Sequence, residues 1–162
     1  MSNINIIDIE ASGLHFDSYP IELAVLINGQ RRSWLIKPEE NWLYWCFIAE
    51  DMHGISREML KKEGLSVSQV VDEFMKCVEN SNGILYSDAV HWDTDWMGTL
   101  FSVTNTAQLF HIESIYDLLE KGQIPAFGEA KARLAESGKY RQHRAEEDVQ
   151  IIYQAYVEVT GS

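Results

Sequence analysis

Three observations predict an α/β fold with a central mixed sheet of about five strands flanked by helices. The N-terminal region carries three β-rich runs, two of them joined by Asn28-Gly29. From Ser56 onward, helical periodicities alternate with short apolar runs. No internal repeat or linker interrupts the chain, so its 162 residues are expected to form a single domain, 1–162.

Residues 3–9 (Asn3, Ile4, Asn5, Ile6, Ile7, Asp8, Ile9) are rich in β-branched side chains and predict a largely buried strand. Asp8 and Glu10 lie at its C-terminal end, before the turn-forming Ala11-Ser12-Gly13. Ile21–Ile27 and Arg31–Ile36 predict two strands around Asn28-Gly29, a strong short-range hairpin signal. Pro38 ends the second. Asn41–Phe47, with Trp42, Tyr44, Trp45 and Phe47, is too aromatic for an ordinary loop. It reads either as a core cluster beneath a loop or as a base-stacking or dimer surface.

Ser56–Glu63 predicts a helix closed by Gly64. A clearer helix runs from Val67 to Glu79, with Val67, Val70, Val71, Phe74 and Val78 on one face and a Ser66/Gln69 capping box. Asn82-Gly83 stops it. Ile84–Ser87 predicts a short buried strand leading into Asp88–Met97 and a helix reaching Phe101. A fifth strand is expected near Leu109–Ile112 and a helix over Ala126–Glu136, ended by Gly138. The last helix, Arg144–Val157, buries Val149, Ile152, Tyr153 and Tyr156.

A chain of this size buries roughly 70% of its unfolded surface, so no disulfide or metal staple is required. No apolar run approaches the roughly 20 residues that span a bilayer. The start, MSNINIIDIE, lacks a basic leader and a cleavage site, so neither membrane nor secretion is expected. Cys46 and Cys77 are far apart in sequence and read as reduced and buried in a cytoplasmic protein.

Thirteen Lys/Arg against 25 Asp/Glu leave a net charge of −12, which repels a long polyanion. The distribution is uneven. Lys131, Arg133, Lys139, Arg141 and Arg144 face only Glu136 within residues 131–144, five bases against one acid, a local +4.

Candidate chemistry starts with Asp8-Ile9-Glu10. In a strand, residues i and i+2 share a face, so both carboxylates point one way, an arrangement a divalent cation makes tolerable. Roughly four such acid-x-acid triplets are expected by chance, so the pair is weak alone. Asp93 follows a buried strand and opens a helix containing Trp92, Trp96 and Met97; a helix-capping role explains it equally well. His143 and Asp148 are five residues apart, about 140° on one helix. They converge only if His143 lies in the preceding loop and Asp148 in the second turn. Gly13-Leu14 admits close backbone approach to a ligand. Met52-His53-Gly54-Ile55 reads as a second loop with an exposed His.

In that order, Asp8-x-Glu10, Trp92-Asp93-x-x-Trp96-Met97 and His143-Arg144-Ala145-x-x-Asp148 resemble the DEDDh 3′–5′ exonucleases. That family includes RNase T, oligoribonuclease, exonuclease X and the proofreading subunit of bacterial DNA polymerase III. The resemblance spans Ile4 to about Tyr156. It implies a ribonuclease-H-like fold in which Asp8, Glu10, Asp93 and Asp148 hold two Mg²⁺ or Mn²⁺ ions about 4 Å apart. It also implies that His143 is the general base. Ala11, Ser12, Gly13, Leu14, His53 and Trp92 are then the residues expected near the terminal nucleotide, with Leu14 wedged against its base. The implied substrate is a single-stranded or 3′-overhang RNA or DNA, and the product a nucleoside 5′-monophosphate. A homodimer is admitted by family analogy alone.

The sequence departs from the family pattern in places. Ala11-Ser12 replaces the usual Thr pair, and Ser87-Asp88-Ala89-Val90-His91-Trp92 replaces a His/Asn-rich lead-in with Phe before the Asp. Asp88 and Asp95 compete with Asp93 for the third carboxylate; Asp93 alone leaves Trp96-Met97 in the family's slots. Two other readings compete. A haloacid-dehalogenase-like phosphatase needs an Asp where Glu10 stands and leaves His143 and Asp148 unexplained. A catalytically weak exonuclease fold acting as a nucleic-acid- or protein-binding module would have no reason to keep like charges crowded.

Overall fold

The computed structural model describes residues 3–162; Met1 and Ser2, the start of the segment read for a leader, lie outside the described residues. Strands β1 (Ile6–Ala11), β2 (Pro20–Ile27), β3 (Gln30–Leu35), β4 (Ile84–Ser87) and β5 (His111–Ser114) form one sheet in the order β3-β2-β1-β4-β5. The β1–β2 and β2–β3 pairs are antiparallel, whereas β1–β4 and β4–β5 are parallel. This is the mixed five-stranded sheet that the pattern predicts. The hairpin turns at Asn28 (φ 51°) and Gly29 (φ 77°), both left-handed as a two-residue type I′ turn requires.

Six helices flank the sheet: α1 (Phe47–His53), α2 (Arg57–Glu63), α3 (Val67–Val78), α4 (Val90–Ser102), α5 (Gln123–Glu136) and α6 (Ala145–Thr160). Alternation along the strands makes two cores. Ile7, Ile9, Leu23 and Val25 pack with Val70, Val71 and Phe74 of α3 and with Met97 and Leu100 of α4. Ile6, Ala24 and Leu26 pack on the opposite face with Phe127 of α5 and Val149 and Ile152 of α6. Each fully buried aliphatic or phenyl side chain contributes about 1.5–3 kcal/mol. By the same alternation Asp8 and Glu10 belong to the face that α6 covers.

Several boundaries differ from the sequence expectation. β1 begins at Ile6 rather than residue 3, because Asn5 serves as a cross-link. Its Oδ1 accepts from the Asn28 amide at 3.2 Å and its Nδ2 donates to Asn82 at 3.3 Å. β5 is shifted two residues onward, since Ile84–Ser87 pair with His111–Ser114 and Leu109 is left exposed. α5 starts three residues early, with Pro125 tolerated in its first turn, where an amide has no helical partner. α1 has no sequence signal: Cys46 supplies no side-chain cap, and His53 alone of its seven residues is buried. Cys46 and Cys77 are free and half-buried rather than buried.

Candidate active site

β1 and α6 bring three carboxylates together. Oxygen atoms of Asp8, Glu10 and Asp148 all lie within 4.8 Å of one another. Asp8 is nearly buried between the apolar Ile7 and Ile9, and Asp148 projects from the first turn of α6. Asp93, in the first turn of α4, stands beside this group. Its charge is the strongest of the neighbouring charges acting on Asp8. Its Oδ2 accepts from the Ser87 hydroxyl at 2.5 Å.

Such crowding opposes ionisation. Burial, reinforced by Asp93, Glu10 and Asp148, raises the Asp8 carboxyl well above the usual range. Burial also pushes Glu10 to about 9 with help from Asp148, Asp93 to about 8 and Asp148 to about 6. Among the described residues, Asp8 Oδ2 and Asp93 Oδ1 are buried without any hydrogen-bond partner. Buried carboxylate oxygens left unsatisfied are costly unless a cation completes them. The donor set is all hard oxygen, with no thiolate or imidazole, so these residues fit Mg²⁺ or Mn²⁺.

Asp88 and Asp95 are placed differently from Asp93. Asp88 accepts from Lys131 Nζ at 2.8 Å, and the same ammonium reaches the Tyr116 hydroxyl. Asp95 is exposed, whereas Trp96 and Met97 sit on the buried face of α4 with Asp93.

His143 is exposed in the loop before α6 and holds a left-handed backbone (φ 57°), uncommon for a residue other than glycine. The loop placement matches the sequence expectation, but Asp148 falls in the first helical turn rather than the second. Beside His143, Arg144 caps the helix and donates to Glu22 through Nη2 at 2.8 Å and Nε at 3.1 Å. The amide of Ala145 donates to the other Glu22 oxygen at 2.5 Å. Sequence reading missed Glu22, although a lone acid inside the apolar run Pro20–Ile27 is a visible signal.

Ala11, Gly13 and Leu14 line one wall of a cleft of about 120 Å³ beside Glu10; Ala49, Met52 and His53 of α1 line the other, with Trp96 contributing from α4. Leu14 is 71% exposed. Ser12 does not join them: it is wholly buried, and its hydroxyl accepts from the Tyr19 amide at 3.1 Å. Trp92 also departs from expectation. It stacks on Trp96 at 5.4 Å but faces a separate groove with Asp88 and Tyr116.

His53 is the last residue of α1 and only 2% exposed, not an exposed loop residue. Its Nδ1 accepts from the Ile55 amide at 3.1 Å, which places the proton of the neutral ring on Nε2. Burial keeps the ring neutral by lowering its pKa, against the pull of Glu50 and the Ala11 carbonyl.

The aromatic segment is part buried and part exposed. Trp42 is buried and stacks on Tyr19 at 5.2 Å, and the Trp42 carbonyl accepts from Arg57 at 2.7 Å. Tyr44 stacks on His15 at 4.6 Å, while Leu43 and Phe47 are largely exposed. The segment also braces the site loop: the Cys46 amide donates to the Ser12 carbonyl at 2.8 Å. A Cβ on Gly13 would meet Tyr44 Cε1 at 2.7 Å and Cys46 Cβ at 2.8 Å.

The sheet order and the helices on both faces form a ribonuclease-H-like fold. No protein-family model matches the chain, and no curated protein matches it in sequence. Solved structures do. Exonuclease I of E. coli, crystallised with a dA16 oligonucleotide, superposes with a TM-score of 0.72 at 14% identity, covering 98% of this chain and 41% of that one. Exonuclease I of Methylocaldum szegediense gives 0.71 at 14% identity, over 96% of this chain and 40% of that one. The nuclease domain of 3'hExo, a DEDDh family member bound to rAMP, gives 0.71 at 16% identity, over 98% and 91%. The chain therefore spans about two fifths of the exonuclease I structures and nearly all of the 3'hExo domain.

Proposed function

We propose that this protein is a metal-dependent 3′–5′ exonuclease that removes nucleoside 5′-monophosphates from single-stranded or frayed RNA or DNA. The observation that carries the reading is the convergence of Asp8, Glu10 and Asp148, with Asp93 alongside, on one end of the sheet. A binding module has no use for four carboxylates held at such electrostatic expense.

Asp8, Glu10, Asp93 and Asp148 are the residues that would hold two Mg²⁺ or Mn²⁺ ions. When bound, the cations activate the attacking water and offset charge on the leaving 3′ oxygen. His143, exposed in the loop before α6, takes the water's proton on an imidazole nitrogen. Leu14 wedges against the terminal base, and Ala11 and Gly13 let backbone come close to the nucleotide. His53 lines the same wall. The unpaired thiols of Cys46 and Cys77 suit a reducing compartment such as the cytoplasm.

The test is to incubate the purified protein with 5′-labelled RNA and DNA oligonucleotides of equal sequence in Mg²⁺, Mn²⁺ or EDTA. A metal-dependent ladder shortening from the 3′ end, absent in Asp8→Ala and His143→Ala, supports the reading. Intact oligonucleotides with metal binding preserved would favour the binding module instead.

A further inference from the structure

Glu22 and Asp93 are the least exposed acids among the described residues, at 1% each, yet Glu22 belongs to no group of candidate metal ligands. It stands directly across from Glu10 in the β1–β2 register, on the same sheet face. Its two oxygens are fully occupied: Arg144 binds both, and the first amide of α6, from Ala145, binds one. Arg144 in turn accepts through its carbonyl from the amides of Glu147 and Asp148, at 3.0 and 2.9 Å.

These contacts form an unbroken connection. It runs from the strand residue opposite Glu10, through the guanidinium, to the turn that carries Asp148 and the residue that follows His143. The left-handed backbone of His143 is the kind of conformation that persists only where the surroundings hold it. Arg144 follows it directly in the chain and is itself fixed by the Glu22 and helix-amide contacts above. The other charges facing Arg144 are Glu146, 3.9 Å away, and Glu10.

We propose that Glu22 and Arg144 form a positioning latch that fixes His143 and Asp148 relative to Asp8 and Glu10. Neither latch residue touches the reacting atoms. The proposal rests on the exonuclease reading for its catalytic consequence, but its structural content stands apart from that reading. A bidentate guanidinium–carboxylate pair fixes orientation as well as distance, which a lysine ammonium cannot do. Burial of Glu22 excludes water that could substitute for the guanidinium on its oxygens. The latch therefore makes the helix start and the preceding loop move with β2 instead of fraying.

The experiment compares wild type with Glu22→Gln, Arg144→Lys and Arg144→Ala, with Glu73→Gln as a control that breaks an ion pair on another surface. Three readouts are taken: Mn²⁺ affinity, the ¹H–¹³C imidazole signal of His143, and kcat and KM on a labelled trinucleotide. The latch predicts weaker Mn²⁺ binding in all three site variants and a His143 signal averaged toward that of an unstructured histidine. For Glu22→Gln it predicts a fall in kcat of about 100-fold, the scale of an ångström-level misplacement, with KM less affected. Added guanidinium ion should restore most of the lost rate in Arg144→Ala but none in Glu22→Gln/Arg144→Ala. The proposal is overturned if folded Glu22→Gln keeps the wild-type His143 signal and Mn²⁺ affinity. Loss of folding in Glu22→Gln shifts the decision to Arg144→Lys, where the same unchanged readouts would overturn it. If wild type cleaves nothing, the exonuclease reading fails while the NMR and Mn²⁺ readouts still decide the latch.

Discussion

Ser87 donates a 2.5 Å hydrogen bond to Asp93 inside the fold, and both residues are almost completely buried. Ser87 closes β4 and Asp93 opens α4, so the bond joins the last strand residue to the helix that follows it. It also lowers the Asp93 pKa against the larger effect of burial. Ser87→Ala should therefore push Asp93 further up and leave both its oxygens unsatisfied. A hydrogen bond to a charged group is worth about 1.5–3 kcal/mol, so Mn²⁺ affinity at pH 7.5 should fall by about tenfold or more. Calorimetric titration of wild type and variant checks this; equal affinities would show that Ser87 is dispensable to the carboxylate.

The raised carboxyls make the metal-free protein sensitive to pH in a defined direction. Glu10, Asp93 and Asp148 titrate at about 9, 8 and 6 in the fold, above the unfolded range near 4. Between those limits the native state retains protons that the unfolded chain has released. Stability must then fall as pH rises from about 4 toward 9. Thermal melts in EDTA should show a Tm that declines across this window. Mg²⁺ or Mn²⁺ should flatten the decline by taking the place of the retained protons, most strongly at the alkaline end. A metal effect on Tm that shrinks as pH rises would contradict the assignment.

Gly13 is a packing requirement. A methyl group there collides with Tyr44 and Cys46 at 2.7 and 2.8 Å. Gly13→Ala should cost about 1–3 kcal/mol by overpacking and raise KM by displacing Leu14. Because Cys46 still stands in the way, Gly13→Ala/Tyr44→Ala should recover only part of the loss. Denaturant unfolding and steady-state kinetics of both variants check it.

Leu14 separates binding from folding. At 71% exposed it contributes little to the core, so Leu14→Ala should change stability by less than about 0.5 kcal/mol. Loss of the wedge should nonetheless raise KM for oligonucleotides several-fold with metal affinity unchanged. An unaltered KM would remove Leu14 from the nucleotide site.

The elements with strong periodicity or turn chemistry were legible in the sequence. Val67–Val78 carried its apolar stripe and Ser66 cap, and Asn28-Gly29 fixed the hairpin. The pairing of Asp8 with Glu10 followed from strand geometry. The meeting with Asp148 rested on family resemblance, because no local rule says which sheet face α6 covers. What stayed hidden depended on tertiary context. α1 lacks a cap and is held by its surroundings, so His53 looked like an exposed loop residue. Ser12 and Trp92 were placed by motif position, whereas the hydroxyl of one is buried on the Tyr19 amide and the ring of the other lines a separate groove. Glu22 was visible as an acid in an apolar strand, but its partner lies 122 residues away.

The most direct test of the central claim is a Mn²⁺ titration of wild type and Asp8→Asn followed by electron paramagnetic resonance, with shortening of a 5′-labelled oligonucleotide recorded on the same samples. The four-carboxylate account predicts two bound ions per wild-type chain and 3′-end shortening that rises with occupancy, both lost in Asp8→Asn while the fold is retained. Equal Mn²⁺ binding and equal shortening in the two proteins would contradict it.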